Sequence, residues 1–114
     1  MKTTVKKPWG SFEILETGEK YALKKITVVP GGSLSLQSHE HRSEHWVIAQ
    51  GIAEIIIDDK THIIKENHHI FIPKGSKHRL TNNNTETLIV IEMWYGEILE
   101  ENDIKRYEDI YDRI

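Results

Sequence analysis

Short apolar runs, each cut off by a turn signal, recur along this chain with no helical period between them, and that rhythm confines it to an antiparallel all-β fold. Lys20 to Val29 carries Tyr21, Leu23, Ile26, Val28 and Val29 and stops at Pro30-Gly31-Gly32. Ser33 to His39 alternates, with Leu34 and Leu36 on one face and Ser35, Gln37 and His39 on the other. Trp46 to Ala49 ends at Gln50-Gly51, and Ala53 to Ile57 ends at Asp58-Asp59-Lys60. Thr61 to Ile64, Ile70 to Ile72 before Pro73-Lys74-Gly75, His78 to Leu80 before three asparagines, and Thr87 to Trp94 complete the series. Seven or eight such strands predict an antiparallel sandwich or jelly-roll barrel. Glu100 to Ile114, dense in Glu, Asp, Lys and Arg, predicts a short helical or irregular C-terminal segment.

With 114 residues the chain suits one domain spanning 1–114, large enough for one core. It has no cysteine, so a disulfide scaffold and a thiolate metal site are both excluded. The net charge of -3 is spread along the chain and gives no electrostatic case for nucleic acid. No signal-like N-terminus is present and no apolar run approaches the roughly 20 residues that cross a bilayer, so a cytoplasmic protein without membrane contact is expected. Asn83-Asn84-Thr85 fits a glycosylation sequon but reads as a polar turn.

Polar residues cluster at two places: Gly31-x5-Gln37-x-His39-x4-Glu44-x6-Gly51 and, after 15 intervening residues, Asn67-x5-Pro73-x-Gly75-x2-His78-x3-Asn82. On a strand Gln37 and His39 project from one face, and Glu44 from the next strand with His78 from a later hairpin can close a four-ligand shell. Two imidazoles, a carboxylate and an amide oxygen suit a divalent ion, zinc first, with cobalt, nickel, manganese or iron as alternatives. The two Pro/Gly breakers end strands and reverse the chain, and a side chain at Gly75 is expected to crowd the turn that aims the ligands.

The spacing of these clusters is that of the cupins. More narrowly, Lys7-Pro8-Trp9-Gly10, Val29-Pro30-Gly31, the run from Leu34 to Trp46, Glu66-Asn67, the run from Ile72 to Leu80 and Asp103-Ile104-Lys105-Arg106 resemble the isomerase domain of type II mannose-6-phosphate isomerases. The resemblance implies an all-β cupin jelly-roll barrel, an antiparallel double-stranded β-helix, with metal on Gln37, His39, Glu44 and His78. It also implies carbohydrate metabolism and polysaccharide biosynthesis, with mannose 6-phosphate and fructose 6-phosphate interconverted through an enediolate that a Lewis-acid metal stabilises. The resembled domain usually follows a guanylyltransferase domain. No Gly-rich nucleotide-binding segment precedes Lys7, so a free-standing isomerase is expected. Where that family has glycine before the final arginine, this chain has Asp112, which changes the last turn if that turn needs positive φ.

A proton-transfer base must lie close to the sugar. His41 is the first candidate if the strand of Gln37 and His39 continues, and Glu92 the second, by its alternation within Leu88 to Trp94. Arg79, directly after His78, is the candidate for the substrate phosphate, followed by Lys24, Arg42 and Arg106. Trp9, Trp46 and Trp94 read as core or interface aromatics rather than sugar-stacking platforms. Two other functions share these ligands: a non-catalytic metal-binding cupin that takes a sugar or nucleotide sugar, partnering a separate guanylyltransferase, and an iron-dependent oxygenase, against which Gln37 argues. Open sheet edges and the resemblance together predict a homodimer.

Overall fold

The computed structural model describes residues 3–113, which form eleven strands. They are β1 (Thr4–Lys7), β2 (Gly10–Thr17), β3 (Tyr21–Val28), β4 (Leu36–Ser38), β5 (Ser43–Gln50), β6 (Ile52–Ile57), β7 (Lys60–Lys65), β8 (His69–Ile72), β9 (His78–Thr81), β10 (Leu88–Tyr95) and β11 (Lys105–Glu108). One sheet has the order β1-β2-β3-β10-β5-β8 and the other β11-β4-β9-β6-β7, every pair antiparallel. This is the expected all-β jelly roll. Among the described residues no helix is long and apolar enough to cross a membrane.

The period of two fills the space between the sheets. In β10 every second residue, Leu88, Val90, Glu92 and Trp94, points inward, and in β3 Ala22, Lys24, Ile26 and Val28 do the same. Register then sorts the interior by polarity. Val28 faces Leu88, and Ile26 lies beside Val90, which lies beside Ile48, in rows that are wholly apolar. The next row is Lys24, Glu92 and Trp46, and the one after it Ala22, Trp94 and Glu44. Trp9, Phe12, Leu34, Ala53, Ile55, Ile72 and Leu80 complete the apolar end. Complete burial of a side chain such as Ile48 or Leu88 contributes about 1.5–3 kcal/mol, so this end anchors the barrel while the other end carries charge.

The two ends of the chain add to this plan, the C-terminal end in line with expectation. β1 and β2 form an antiparallel hairpin on the edge of the larger sheet. The C-terminal segment is irregular and contains the short strand β11, which pairs with β4 so that Arg106 faces Gln37. Ile114, its last residue, lies outside the described residues. Asp112 adopts φ 57°, a left-handed conformation that Asp tolerates better than most residues.

Candidate metal centre

β4 brings Gln37 directly across from His78 on β9. His39 lies just past the end of β4, and its carbonyl accepts the Gly75 backbone N–H at 3.0 Å, tying the two motif segments together. Gly75 adopts φ +84° with open space where a Cβ would stand, so its requirement is conformational; the expected crowding of the turn is absent. Glu44 enters from β5. The ligand atoms of His39, Glu44 and His78 lie within 4.8 Å of one another, and all three residues are buried.

Hydrogen bonding sets both rings for ligation. His39 Nδ1 lies 2.7 Å from the Asp103 carbonyl and His78 Nδ1 3.0 Å from the Ser76 carbonyl. A carbonyl can only accept, so each Nδ1 carries a proton, and in the neutral ring Nε2 is the atom left free to ligate. His78 Nε2 is buried without a hydrogen-bond partner. Such an orphaned acceptor beside a second imidazole and a carboxylate is the arrangement a divalent ion would satisfy, and the nitrogen and oxygen donors fit zinc or its neighbours. Gln37 Oε1, which accepts from Ser35 Oγ at 3.4 Å, lies on the same cavity wall as the fourth candidate ligand.

The charges around these ligands are arranged to keep them available. Burial holds His39 down to about 4, neutral at physiological pH. Glu44 Oε2 lies 3.1 Å from His39 Nε2 and accepts from Arg42 Nε at 2.9 Å, while its other oxygen accepts from Trp46 Nε1 at 2.9 Å. Burial alone would raise the Glu44 carboxyl, but His78, His39 and Arg42 outweigh it and hold it at about 2. Arg42 Nη2, 3.2 Å from His39 Nε2, takes part of the lone-pair density that a metal would share. Glu92 is pushed the other way, by burial first and then by the Glu44 charge, well above the carboxylate range, and its Oε1 accepts from Trp94 Nε1 at 2.7 Å. Lys24 is lowered by burial and pairs with Glu101 at 2.5 Å. Both Lys24 and Arg42 lie over the Trp94 ring, at 3.6 and 3.4 Å from its centroid.

These groups surround a cavity of about 150 Å³, and the structure brings Gln37, His39, Glu44, Glu92 and Lys24 to it. His78 does not line the cavity but completes the ligand cluster with His39 and Glu44, which do. Two other sequence candidates are placed elsewhere. The strand of Gln37 stops at Ser38, so His41 sits in a half-exposed bend beside Glu40, its backbone N–H donated to Asp103, and it does not line the cavity. Arg79 alternates away from the inward His78 and is taken up by the Leu34 carbonyl and by Glu108. All three tryptophans are buried, Trp9 and Trp46 in the core cluster and Trp94 beside Lys24 and Arg42, and Trp9 and Trp94 also border the cavity. Glu101, on the irregular segment, carried no motif signal, and Asp103 was part of a motif without a role assigned to it.

The family described as "Mannose-6-phosphate isomerase C-terminal" matches residues 1–109. The chain is 46% identical over 109 residues to "Alginate biosynthesis protein AlgA" of Pseudomonas aeruginosa, covering 96% of this chain and 23% of that protein. It is 43% identical over 114 residues to "Mannose-1-phosphate guanylyltransferase ManC" of Salmonella typhimurium, covering 100% of this chain and 24% of that protein. A cupin-2 domain protein of Rhodospirillum rubrum superposes with a TM-score of 0.77 at 18% identity, covering 96% of this chain and 76% of that one. The capsular polysaccharide assembling protein CapF of Staphylococcus aureus gives 0.79 at 20% identity, over 96% and 35%. These two likenesses show the cupin fold. The chain spans under a quarter of the length of the curated relatives quoted, and one of them is named a guanylyltransferase. That corrects the expectation of an isomerase interconverting mannose 6-phosphate and fructose 6-phosphate: the match is to one part of longer proteins, and the printed names describe nucleotidyl transfer and polysaccharide biosynthesis.

Proposed function

The chain belongs to the mannose-6-phosphate isomerase C-terminal family, and from that membership and the geometry of its site we propose that it is a metal-binding cupin that takes a sugar or nucleotide sugar and works beside a guanylyltransferase in polysaccharide biosynthesis. The observation that carries this reading is the buried His39, Glu44 and His78 cluster, with its orphaned Nε2, beside a cavity walled by indole rings and cations. Gln37, His39, Glu44 and His78 would hold the ion, zinc by preference. A bound ion would draw sugar hydroxyl oxygens to itself as a Lewis acid.

The remaining work falls to the chain's own residues. Trp94 holds Lys24 and Arg42 against its ring and so keeps both cations at the cavity. Glu92, holding its proton, donates to Glu44 and leaves that carboxylate as the single anionic ligand. Arg42 and Trp46 fix both Glu44 oxygens, so the ligand does not have to reorganise when the ion enters.

Calorimetric titration of the zinc-loaded protein with mannose, mannose 6-phosphate and GDP-mannose tests the reading, with fructose 6-phosphate assayed in the same samples. Saturable binding that is lost on chelation, without conversion, is expected. Sustained conversion of mannose 6-phosphate, or no binding by fully loaded protein, would contradict it.

A further inference from the structure

Residues 100–104 cross the cavity rim as an irregular strap between β10 and β11, and polar bonds more than packing hold them there. Glu100, Glu101 and Asn102 are exposed, and Ile104 is the strap's one apolar side chain, half-buried. The Glu100 carbonyl accepts from Arg42 Nη1 at 3.3 Å, Glu101 pairs with Lys24 at 2.5 Å, and the Asp103 carbonyl accepts from His39 Nδ1 at 2.7 Å. Each tether ends on the metal centre or on the cations beside it. His39 is a candidate ligand, Arg42 bonds the ligand Glu44, and Lys24 lies with Arg42 against the Trp94 ring. A segment with so little buried apolar surface has low local stability of its own, so its position depends on those bonds.

Asp103 grips one short piece of chain in three places. Its Oδ1 and Oδ2 accept the backbone N–H groups of Glu40 and His41, each at 2.9 Å, while its carbonyl holds the ring of His39. Three consecutive residues are thus fixed by one residue 62 to 64 positions further along the chain. Backbone N–H bonds to a carboxylate are charge-assisted and stronger than those to a neutral acceptor. A hollow of about 360 Å³ bordered by His39, Glu40, Gly75 and Asp103 adjoins this wall of the site, so close packing does not take over the role of those bonds.

We propose that Asp103 is the positioning residue of the metal centre, and that metal binding and docking of the 100–104 strap stabilise one another. The Nδ1–H bond to the Asp103 carbonyl raises the basicity of His39 Nε2 and fixes the ring plane, so the docked strap favours the ion. Linkage is reciprocal, so the ion favours the docked strap by the same factor. The part of the cavity wall that Glu101 and Ile104 supply is then held most firmly when the ion is bound. The inference rests on the metal binding proposed above and not on the sugar.

The test is zinc competition titration of wild type, Asp103→Ala and Asp103→Asn, with melting temperature measured on each, and backbone hydrogen exchange of wild type and Asp103→Ala with and without zinc. Expected is a roughly tenfold loss of zinc affinity in Asp103→Ala, the lower end of the range for outer partners of metal ligands, and a smaller loss in Asp103→Asn, which keeps one acceptor oxygen. In wild type, zinc is expected to slow exchange of the Glu40, His41 and Asp103 N–H groups by a similar factor, an effect absent from Asp103→Ala. The Gly18 N–H, in the turn between β2 and β3, keeps its rate. A lowered melting temperature with zinc affinity unchanged would make Asp103 a structural residue only and overturn the proposal. Zinc that leaves the three wild-type rates unchanged, or slows Gly18 equally, overturns it as well, and this comparison decides the matter if Asp103→Ala does not fold. Wild type that binds no zinc overturns the metal reading and the coupling together, whereas zinc binding with neither effect overturns the coupling alone.

Discussion

Glu44 and Glu92 point into the same end of the barrel from adjacent strands and are pushed in opposite directions, Glu44 toward its ionised form by His78, His39 and Arg42 and Glu92 toward its neutral form by burial and by Glu44. Trp94 lies directly across from Glu44 in the register and donates its indole N–H to Glu92, while Trp46 lies across from Glu92 and donates to Glu44. Two carboxylates buried together cannot both ionise cheaply, and the cations and imidazoles around Glu44 decide which one does.

Replacing each acid by its amide therefore has unequal effects. Glu92→Gln keeps a neutral group that can donate to Glu44, and it is expected to change stability by less than about 1 kcal/mol and zinc affinity by a few-fold at most. Glu44→Gln strands the buried Arg42 charge, at about 3–5 kcal/mol, and weakens zinc by more than the roughly 10–100-fold typical of outer partners. Urea unfolding and zinc competition titrations check this, and equal losses in the two variants would show that Glu92 carries charge.

Gly75→Val forces a β-branched residue into φ +84° and disturbs the turn whose N–H holds the His39 carbonyl. A destabilisation of about 1–2 kcal/mol is expected, together with reduced zinc affinity. Because nothing lies within 4 Å of the added Cβ, Gly75→Asn, which tolerates this φ, is expected to recover most of both. A Gly75→Val protein with normal melting and normal zinc content would contradict the account.

Asp109 closes the chain's last turn, accepting from Arg113 Nε at 2.6 Å and from the Arg113 backbone N–H at 2.8 Å. The Arg113 side chain holds its pKa below the usual Asp value. Its contribution is thus complete above about pH 4, where even the unfolded carboxyl is ionised, and is lost as pH falls through the lower folded value. Asp109→Asn is expected to cost about 1–3 kcal/mol at neutral pH, with the gap to wild type closing below pH 4. Stability curves against pH for the two proteins decide it, and a gap that persists at low pH would assign the effect to packing.

The fold class and the meeting of His39, Glu44 and His78 were legible because both rest on short-range regularities. Period-two alternation in Leu88 to Trp94 and fixed offsets around Gln37, His39, Glu44 and His78 survive in any antiparallel barrel. The same alternation places Lys24 and Glu92 inward, while Arg79, one residue after an inward His78, had to face out. Its adjacency to a ligand in sequence was misleading for that reason. His41 depended on where β4 ends, and that is set by Asp103, more than 60 residues on, capturing the backbone N–H groups of Glu40 and His41. β11 was hidden because Lys-Arg-Tyr-Glu has no apolar alternation and is held by pairing with β4. The pairing of Glu101 with Lys24 has no local signature.

The most direct measurement is zinc binding to metal-stripped wild type, His39→Ala, His78→Ala and His41→Ala, with X-ray absorption at the zinc edge of the loaded wild type. The account predicts one zinc per chain with nitrogen and oxygen neighbours only, including two imidazoles, lost in the first two variants and kept in His41→Ala. Unchanged stoichiometry and affinity in His39→Ala and His78→Ala would contradict it.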